Sequence, residues 1–289
     1  MMRKQSALPR RLRRIWLAHR GRIPLLAGVL AWASTAHGEL RPLWELGVGM
    51  GVTSIPAYRG ARGEVVYFLP LPYLVYRGRF LRSDRQGIRG VFYQNDRFQL
   101  NLSAYAGPPV QSGQIPARTG MPNLSPSFEI GPSLQYVLID TPGTMLDLRW
   151  PLRAAFTLSF KPIGWVSTPN LNLTLPDYRG SGWMLGASIG PNFADSRYHA
   201  YFYDVAPAYV RPGRPAYAAG AGYSGSSVYL TVSRRFAHYW VGGFLRYDNL
   251  AGASFVNSPL VETQQYFAVG VGMSWIFATS SRLVESEEP

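Results

Sequence analysis

Cysteine is absent from the 289 residues, which excludes disulfide frameworks, thiolate zinc sites and cysteine nucleophiles together. Charge is scarce. Asp, Glu, Lys and Arg make up 16% of the chain, against roughly 25% in an ordinary soluble domain. Long apolar runs are also missing: the longest near the N-terminus, Ile23 to Ala33, has 11 residues, whereas a spanning helix takes about 20. A helical membrane protein is therefore excluded. What is plentiful is glycine (30), proline (23), tyrosine (18) and tryptophan (8). A disordered chain is charge-rich and aromatic-poor, so this composition describes a large, aromatic, glycine-rich β protein.

The N-terminus has its own pattern. Eight basic residues fall in the first 22 positions, and no acidic residue precedes Glu39. The apolar stretch Ile23 to Ala33 follows, then Ser34-Thr35-Ala36-His37-Gly38 with small residues at −3 and −1. A charged region, a short apolar region and a small-residue ending make a signal peptide, with cleavage expected before Glu39. Its removal leaves 21 basic and 16 acidic residues, a net charge of +5 rather than +13. The high isoelectric point then belongs mostly to the discarded segment, and it gives no reason to expect a nucleic-acid partner, which would need a clustered basic footprint on the folded domain.

Between turn signals the remaining chain alternates with period two, the mark of strands with two unlike faces. Trp44, Leu46, Val48, Met50 and Val52 alternate with Glu45, Gly47, Gly49, Gly51 and Thr53. Phe98, Leu100 and Leu102 alternate with Gln99, Asn101 and Ser103; Phe267 through Phe277 repeat the pattern against alanine, glycine and serine. A soluble sandwich and a transmembrane barrel both satisfy such alternation. The barrel is favoured because the apolar parity carries aromatic residues near its ends, as interfacial girdles do, while the other parity is small and polar like a lumen. The expected fold is all-β: an antiparallel up-and-down transmembrane barrel over residues 39–277, followed by a short acidic periplasmic tail, 278–289. Short turns at 77–79, 95–96, 140–143, 176–181 and 237–238 alternate with longer connections at 54–64, 107–126, 156–162, 194–222 and 250–261. Strict alternation gives about 12 strands, provided that 79–94 holds two short ones; 10 to 14 remain open. The partner of such a surface is the lipid bilayer of a Gram-negative outer membrane.

Further segments carry a resemblance. Gly47 to Val52 followed by Ile55-Pro56-Ala57-Tyr58-Arg59-Gly60, the element Pro70-Leu71-Pro72-Tyr73, the run Tyr198 to Ala206 containing Tyr201 and Phe202, and Pro215 to Gly222 together resemble the MipA/OmpV family of outer-membrane proteins over 44–277. The resemblance implies a scaffold role, tethering a lytic transglycosylase and a peptidoglycan synthase. The residues themselves also allow a narrow pore for small solutes, or a surface receptor or adhesin built from the long outer loops.

Little in the chain points to catalysis. Gly47-x-Gly49-x-Gly51 lacks the spacing and the following helix of a nucleotide fingerprint; small lumen-facing positions explain it. Serine catalysis needs a base in hydrogen-bond reach, and beyond the leader only His199 and His238 remain, far apart and without a motif. Neither an enzyme nor a metal or other cofactor is expected. Glu45, Glu129, Asp147, Arg149, Arg153, Arg246 and Asp248 fall on the polar parity and should face the lumen. Glu129 and Asp147 on adjacent strands offer a carboxylate pair, but charges of both signs there suit a salt-bridged plug better.

Overall fold

The computed structural model describes residues 39–78, 81–84 and 87–286. The segment read as a signal peptide lies outside them, as do Arg79 and the acidic residues Glu287 and Glu288. The strands are β1 (Glu39–Pro42), β2 (Trp44–Pro56), β3 (Glu64–Arg77), β4 (Leu81–Asp84), β5 (Gly87–Gln94), β6 (Phe98–Gly107), β7 (Ser127–Thr141), β8 (Thr144–Thr157), β9 (Pro162–Ser167), β10 (Asn170–Leu175), β11 (Trp183–Ala194), β12 (Gly222–Arg235), β13 (Tyr239–Asn249), β14 (Gln265–Thr279) and β15 (Leu283–Ser286). One α-helix, α1 (Ser196–Tyr203), interrupts the connection from β11 to β12.

Apart from β9 with β10, each strand from β2 to β14 pairs antiparallel with the next in sequence, and β14 returns to pair with β2. The pair β9 and β10 shares one place in this order. Both lie between β8 and β11, β9 nearer the long connections and β10 nearer the short turns. The ring is therefore closed, with twelve strand positions. The break falls at Thr168-Pro169, where the backbone crosses β11 so closely that a Cβ on Gly190 would sit 2.0 Å from the Pro169 carbonyl oxygen. The two short strands expected in 79–94 are β4 and β5.

The alternation read from the sequence becomes the two faces of the wall. In β14, Phe267, Val269, Val271, Met273, Trp275 and Phe277 are exposed, while Ala268, Gly270, Ser274 and Ile276 are buried. In β8, Leu148, Trp150 and Leu152 point out and Asp147, Pro151 and Arg153 point in. So much exposed apolar surface is a lipid-facing belt rather than a water-facing one. Aromatic pairs mark both of its rims. Tyr247 with Phe267 and Phe128 with Phe156 sit near the long connections, at 5.1 and 5.4 Å between ring centroids; Phe98 with Tyr136 sits near the short turns, at 4.7 Å. A bulge between Ile276 and Ala278 adds Phe277 to the outer face, and β14 runs on to Thr279.

The two ends of the ring differ. At the short-turn end, β1 and β15 pair with each other as a separate two-stranded ribbon, so the segment expected as a tail is in part a strand. At the other end, buried residues from four connections form one small core: Ala57, Tyr58 and Ala61; Val110, Ile115 and Leu124; Tyr203 and Ala219; Leu250, Ala253 and Phe255. These connections leave the ring at separate points around it, so a core common to them must lie over the mouth. Tyr203 and Phe255 stack at 3.7 Å and 6° within it. By the rule that outer-membrane barrels keep short turns periplasmic, this cap faces outward.

Candidate functional site

Charged side chains of the described residues converge in the lumen, in separate groups at different depths. Near the short turns Glu45, 2% exposed, accepts from Arg77 at 3.0 Å and Arg235 at 2.7 Å. On β8, Asp147 takes a two-pronged guanidinium from Arg149, Nε to Oδ2 at 2.7 Å and Nη2 to Oδ1 at 3.1 Å, and Asn172 donates to it as well. Higher up, Glu129 accepts from Arg153 at 2.9 Å and from the Tyr198 hydroxyl at 3.1 Å. Asp248 lies between Arg246 and Arg59, with Ser227 donating to Oδ1 at 2.8 Å. Buried carboxylates persist only when paired and hydrogen-bonded, and each of these four is.

All seven residues expected in the lumen are thus inside the ring, but as four groups rather than one plug. Glu129 and Asp147 do not form a carboxylate pair. Glu129 is level with Ala155 and Asp147 with Val137, eight residues and about 27 Å apart along the strand. Arg59, Arg77 and Arg235 complete the groups and escape a first reading of the sequence. Arg77 and Arg235 share the inward parity of their strands but sit at the turns, where parity is easily discounted. Arg59 lies in a connection, to which parity does not apply. In these four groups six guanidinium groups face four carboxylates, an excess of positive charge among the described residues.

Between these groups lies a cavity of about 970 Å³. Leu69, Leu71, Tyr105, Tyr229, Thr231 and Phe244 are among its walls, and the underside of the cap, including Tyr58, Tyr203 and Phe255, forms its roof. The Pro-Leu-Pro-Tyr element spans both faces of β3: Pro70 and Pro72 are exposed outward, Leu71 and Tyr73 point inward. Tyr73 lies 6.4 Å from Trp240, ring to ring. Tyr201 and Phe202 belong to the cap, where the Tyr201 hydroxyl donates to the Ser125 carbonyl and Phe202 packs on Tyr198 at 5.2 Å.

The cap is held by buried polar side chains that collect backbone carbonyls. Arg118 donates to the carbonyls of Phe202 and Pro122, and Arg214 to those of Tyr209, Ala117 and Thr119. Asp195 caps α1 by accepting from the Tyr198 amide at 2.8 Å. His199 is 1% exposed, with Nδ1 2.6 Å from the Gly220 carbonyl oxygen and Nε2 2.6 Å from Ser224 Oγ. The carbonyl can only accept, so Nδ1 carries the proton and Nε2 accepts from Ser224. Burial lowers the His199 pKa and the bond to Gly220 opposes that shift; burial raises the hydroxyls of Tyr58, Tyr198 and Tyr203. His238 sits in the turn between β12 and β13, where its carbonyl accepts from the Ile276 amide. No group of three or more metal-ligating side chains occurs among the described residues.

A family model described as MltA-interacting protein MipA matches residues 48–277. No individual curated protein matches the chain. Solved structures with some likeness include a bacterial polysaccharide outer membrane secretin (12% identity, 83% of this chain and 100% of that one, TM-score 0.38). Others are a loop-deletion mutant of OmpT from Vibrio cholerae (9%, 81% and 98%, 0.37) and a Pseudomonas aeruginosa FadL homologue (9%, 82% and 90%, 0.36).

Proposed function

Since the chain belongs to the MltA-interacting protein MipA family and is an outer-membrane β-barrel, we propose that it acts as a scaffold that tethers peptidoglycan-remodelling enzymes, a lytic transglycosylase with a peptidoglycan synthase, beneath the outer membrane. The observation that carries this reading is the capped, ion-paired lumen. A barrel roofed by a packed core and crossed by four buried carboxylate–guanidinium groups is a poor open channel and a good rigid anchor. The β1–β15 ribbon supports it further: at the short-turn end it leaves Leu40 and Leu283 more than half exposed.

The reading assigns the chain no reaction. His199 faces Ser224, but its role here is to fasten α1 to the segment 220–224. The test combines binding and conductance. Immobilised barrel should retain a purified lytic transglycosylase, and a variant carrying Leu40→Asp and Leu283→Asp should lose most of that retention. Failure of the unaltered barrel to bind any such enzyme, together with steady conductance in a planar bilayer, would replace the scaffold with the narrow pore.

A further inference from the structure

One carboxylate under the cap is shared by two arginines. Register sets Asp248 between Ser227 and Tyr266 across β12, β13 and β14, and the next inward row sets Arg246 between Tyr229 and Ala268. Arg246 donates from Nη2 to Asp248 Oδ1 at 2.8 Å and turns Nε to Oδ2, while Arg59, in the connection from β2 to β3, donates from Nη2 to the same Oδ1 at 3.1 Å. Ser227 adds a third donor to Oδ1, its own oxygen accepting from Asn192 at 2.9 Å. Asp248 is fully buried, whereas Arg59 and Arg246 keep 25% and 18% of their side chains accessible, and both line the cavity. The other charged side chains in the cavity wall, among the described residues, are Glu129 and Arg153, which pair and cancel. One positive charge is left over.

That charge comes with free donors. Arg59 Nε is taken by the Tyr266 hydroxyl at 3.3 Å, but Nη1 of Arg59 and Nη1 of Arg246 have no acceptor among the described residues. The Tyr229 hydroxyl has no partner there either, although the Arg246 guanidinium lies over its ring at 5.1 Å. Because both guanidinium groups bond one oxygen of Asp248, their free ends meet at one point of the wall. Ala268, the neighbour of Arg246 on β14, is too short to cover it. A guanidinium has donors and no acceptor, and a charge held away from bulk water is costly unless it is paired. What fits at this point is an anion.

We propose that the cavity is a binding site for a small organic monocarboxylate with an apolar body, its carboxylate spanning Arg59 and Arg246. One excess positive charge matches one carboxylate, and two adjacent guanidinium groups suit its two oxygens. The space is far larger than an inorganic ion needs: about 970 Å³, at the upper end of the roughly 300–1,000 Å³ usual for small-molecule sites. Beyond the arginines the lining turns apolar and aromatic, with Phe244 and Val271 in the wall and Tyr203 and Phe255 in the roof, which suits the body of such a molecule. Arg59 belongs to the cap, where its carbonyl accepts from the Tyr203 hydroxyl at 2.9 Å, so the bound anion ties the cap to the wall. The site lies at the other end of the ring from the β1–β15 ribbon and does not depend on the scaffold reading.

The probe is 4-phenylbutyrate, with 4-phenylbutanamide as its uncharged counterpart. Each is brought to equilibrium by dialysis against the barrel in zwitterionic phospholipid vesicles, so that slow entry past the cap still registers, and empty vesicles correct for partitioning. The acid should bind at one site per barrel, more tightly than the amide by about tenfold or more. Arg246→Met leaves Arg59 matched one to one with Asp248, so it orphans no buried charge; it should weaken the acid by about tenfold and leave the amide unchanged. Equal binding of acid and amide, unchanged binding of the acid by Arg246→Met, or no saturable binding would each overturn the site. Displacement of the acid by equimolar chloride or phosphate would overturn it too, marking a site for an inorganic ion only. Heat-modifiable mobility checks folding; Arg59→Met, which leaves Arg246 on Asp248, replaces Arg246→Met if that variant does not fold.

Discussion

His199 makes the cap sensitive to pH, in a direction that its bonding fixes. Its pKa is lowered in the folded state, so the unfolded chain binds the extra proton first. The contribution is intact above the ordinary histidine value of about 6.5 and is lost as pH falls from there through the lower folded value, at no more than about 1.4 kcal/mol per pH unit. Protonation would place a hydrogen on Nε2, against the donor it now receives from Ser224. Amide protection factors within 199–203 and 220–224, corrected for intrinsic exchange, should therefore fall between pH 7 and pH 5, and His199→Gln should flatten that dependence. Asp248 poses the opposite problem. Asp248→Asn leaves Arg59 and Arg246 facing each other in a buried site, at a cost of about 3–5 kcal/mol in urea-induced unfolding from vesicles. Salt dependence should appear in the variant, since the pair would then repel.

At the level of the strand, parity is what the sequence makes legible and position along the strand is what it hides. β14 could be read directly, because its six outward apolar residues alternate with alanine, glycine and serine over 268–274. The lumen residues followed from the same rule, but parity fixes only which face a side chain takes; which carboxylate meets which arginine depends on register, and that is set by hairpin turns and bulges. The cap was not legible, since its core joins loops that share no period. Asn101 shows why inward does not mean roomy: it is 6% exposed among Gln99, Ser133 and Gln135, so an arginine there has no space. A better contrast lies on β12. Leu230→Arg, on the lipid face near mid-depth, should cost about 2–4 kcal/mol in folding into vesicles, while Thr231→Arg, exposed within the cavity, should cost far less. On β3, Pro70→Ala with Pro72→Ala restores two donors to an edge that has no strand partner among the described residues; oligomers resistant to mild detergent should increase, as judged by unheated gel electrophoresis.

For the whole molecule, composition gave the β class and the two unlike parities of the strands gave the membrane environment, and the twelve-position ring agrees with the alternation of short and long connections. The interior is arranged by height: ion pairs at several depths around a cavity, with a packed roof at the long-connection end. The ribbon of β1 and β15 adds a topological consequence. Every pairing in the ring joins strands adjacent or one apart in sequence except the β14–β2 seam, so contact order is low apart from one closure that must wait for both ends of the chain. Because the ribbon already holds those ends together, the chain is a candidate for circular permutation. Linking residue 286 to residue 39 and cutting between Pro142 and Gly143, in the short β7–β8 turn, should give a barrel of native heat-modifiable mobility. In that permutant the former seam becomes local and β7–β8 becomes the late closure, so Phe128→Ala, which weakens that pair, should slow its folding more than it slows the folding of the parent.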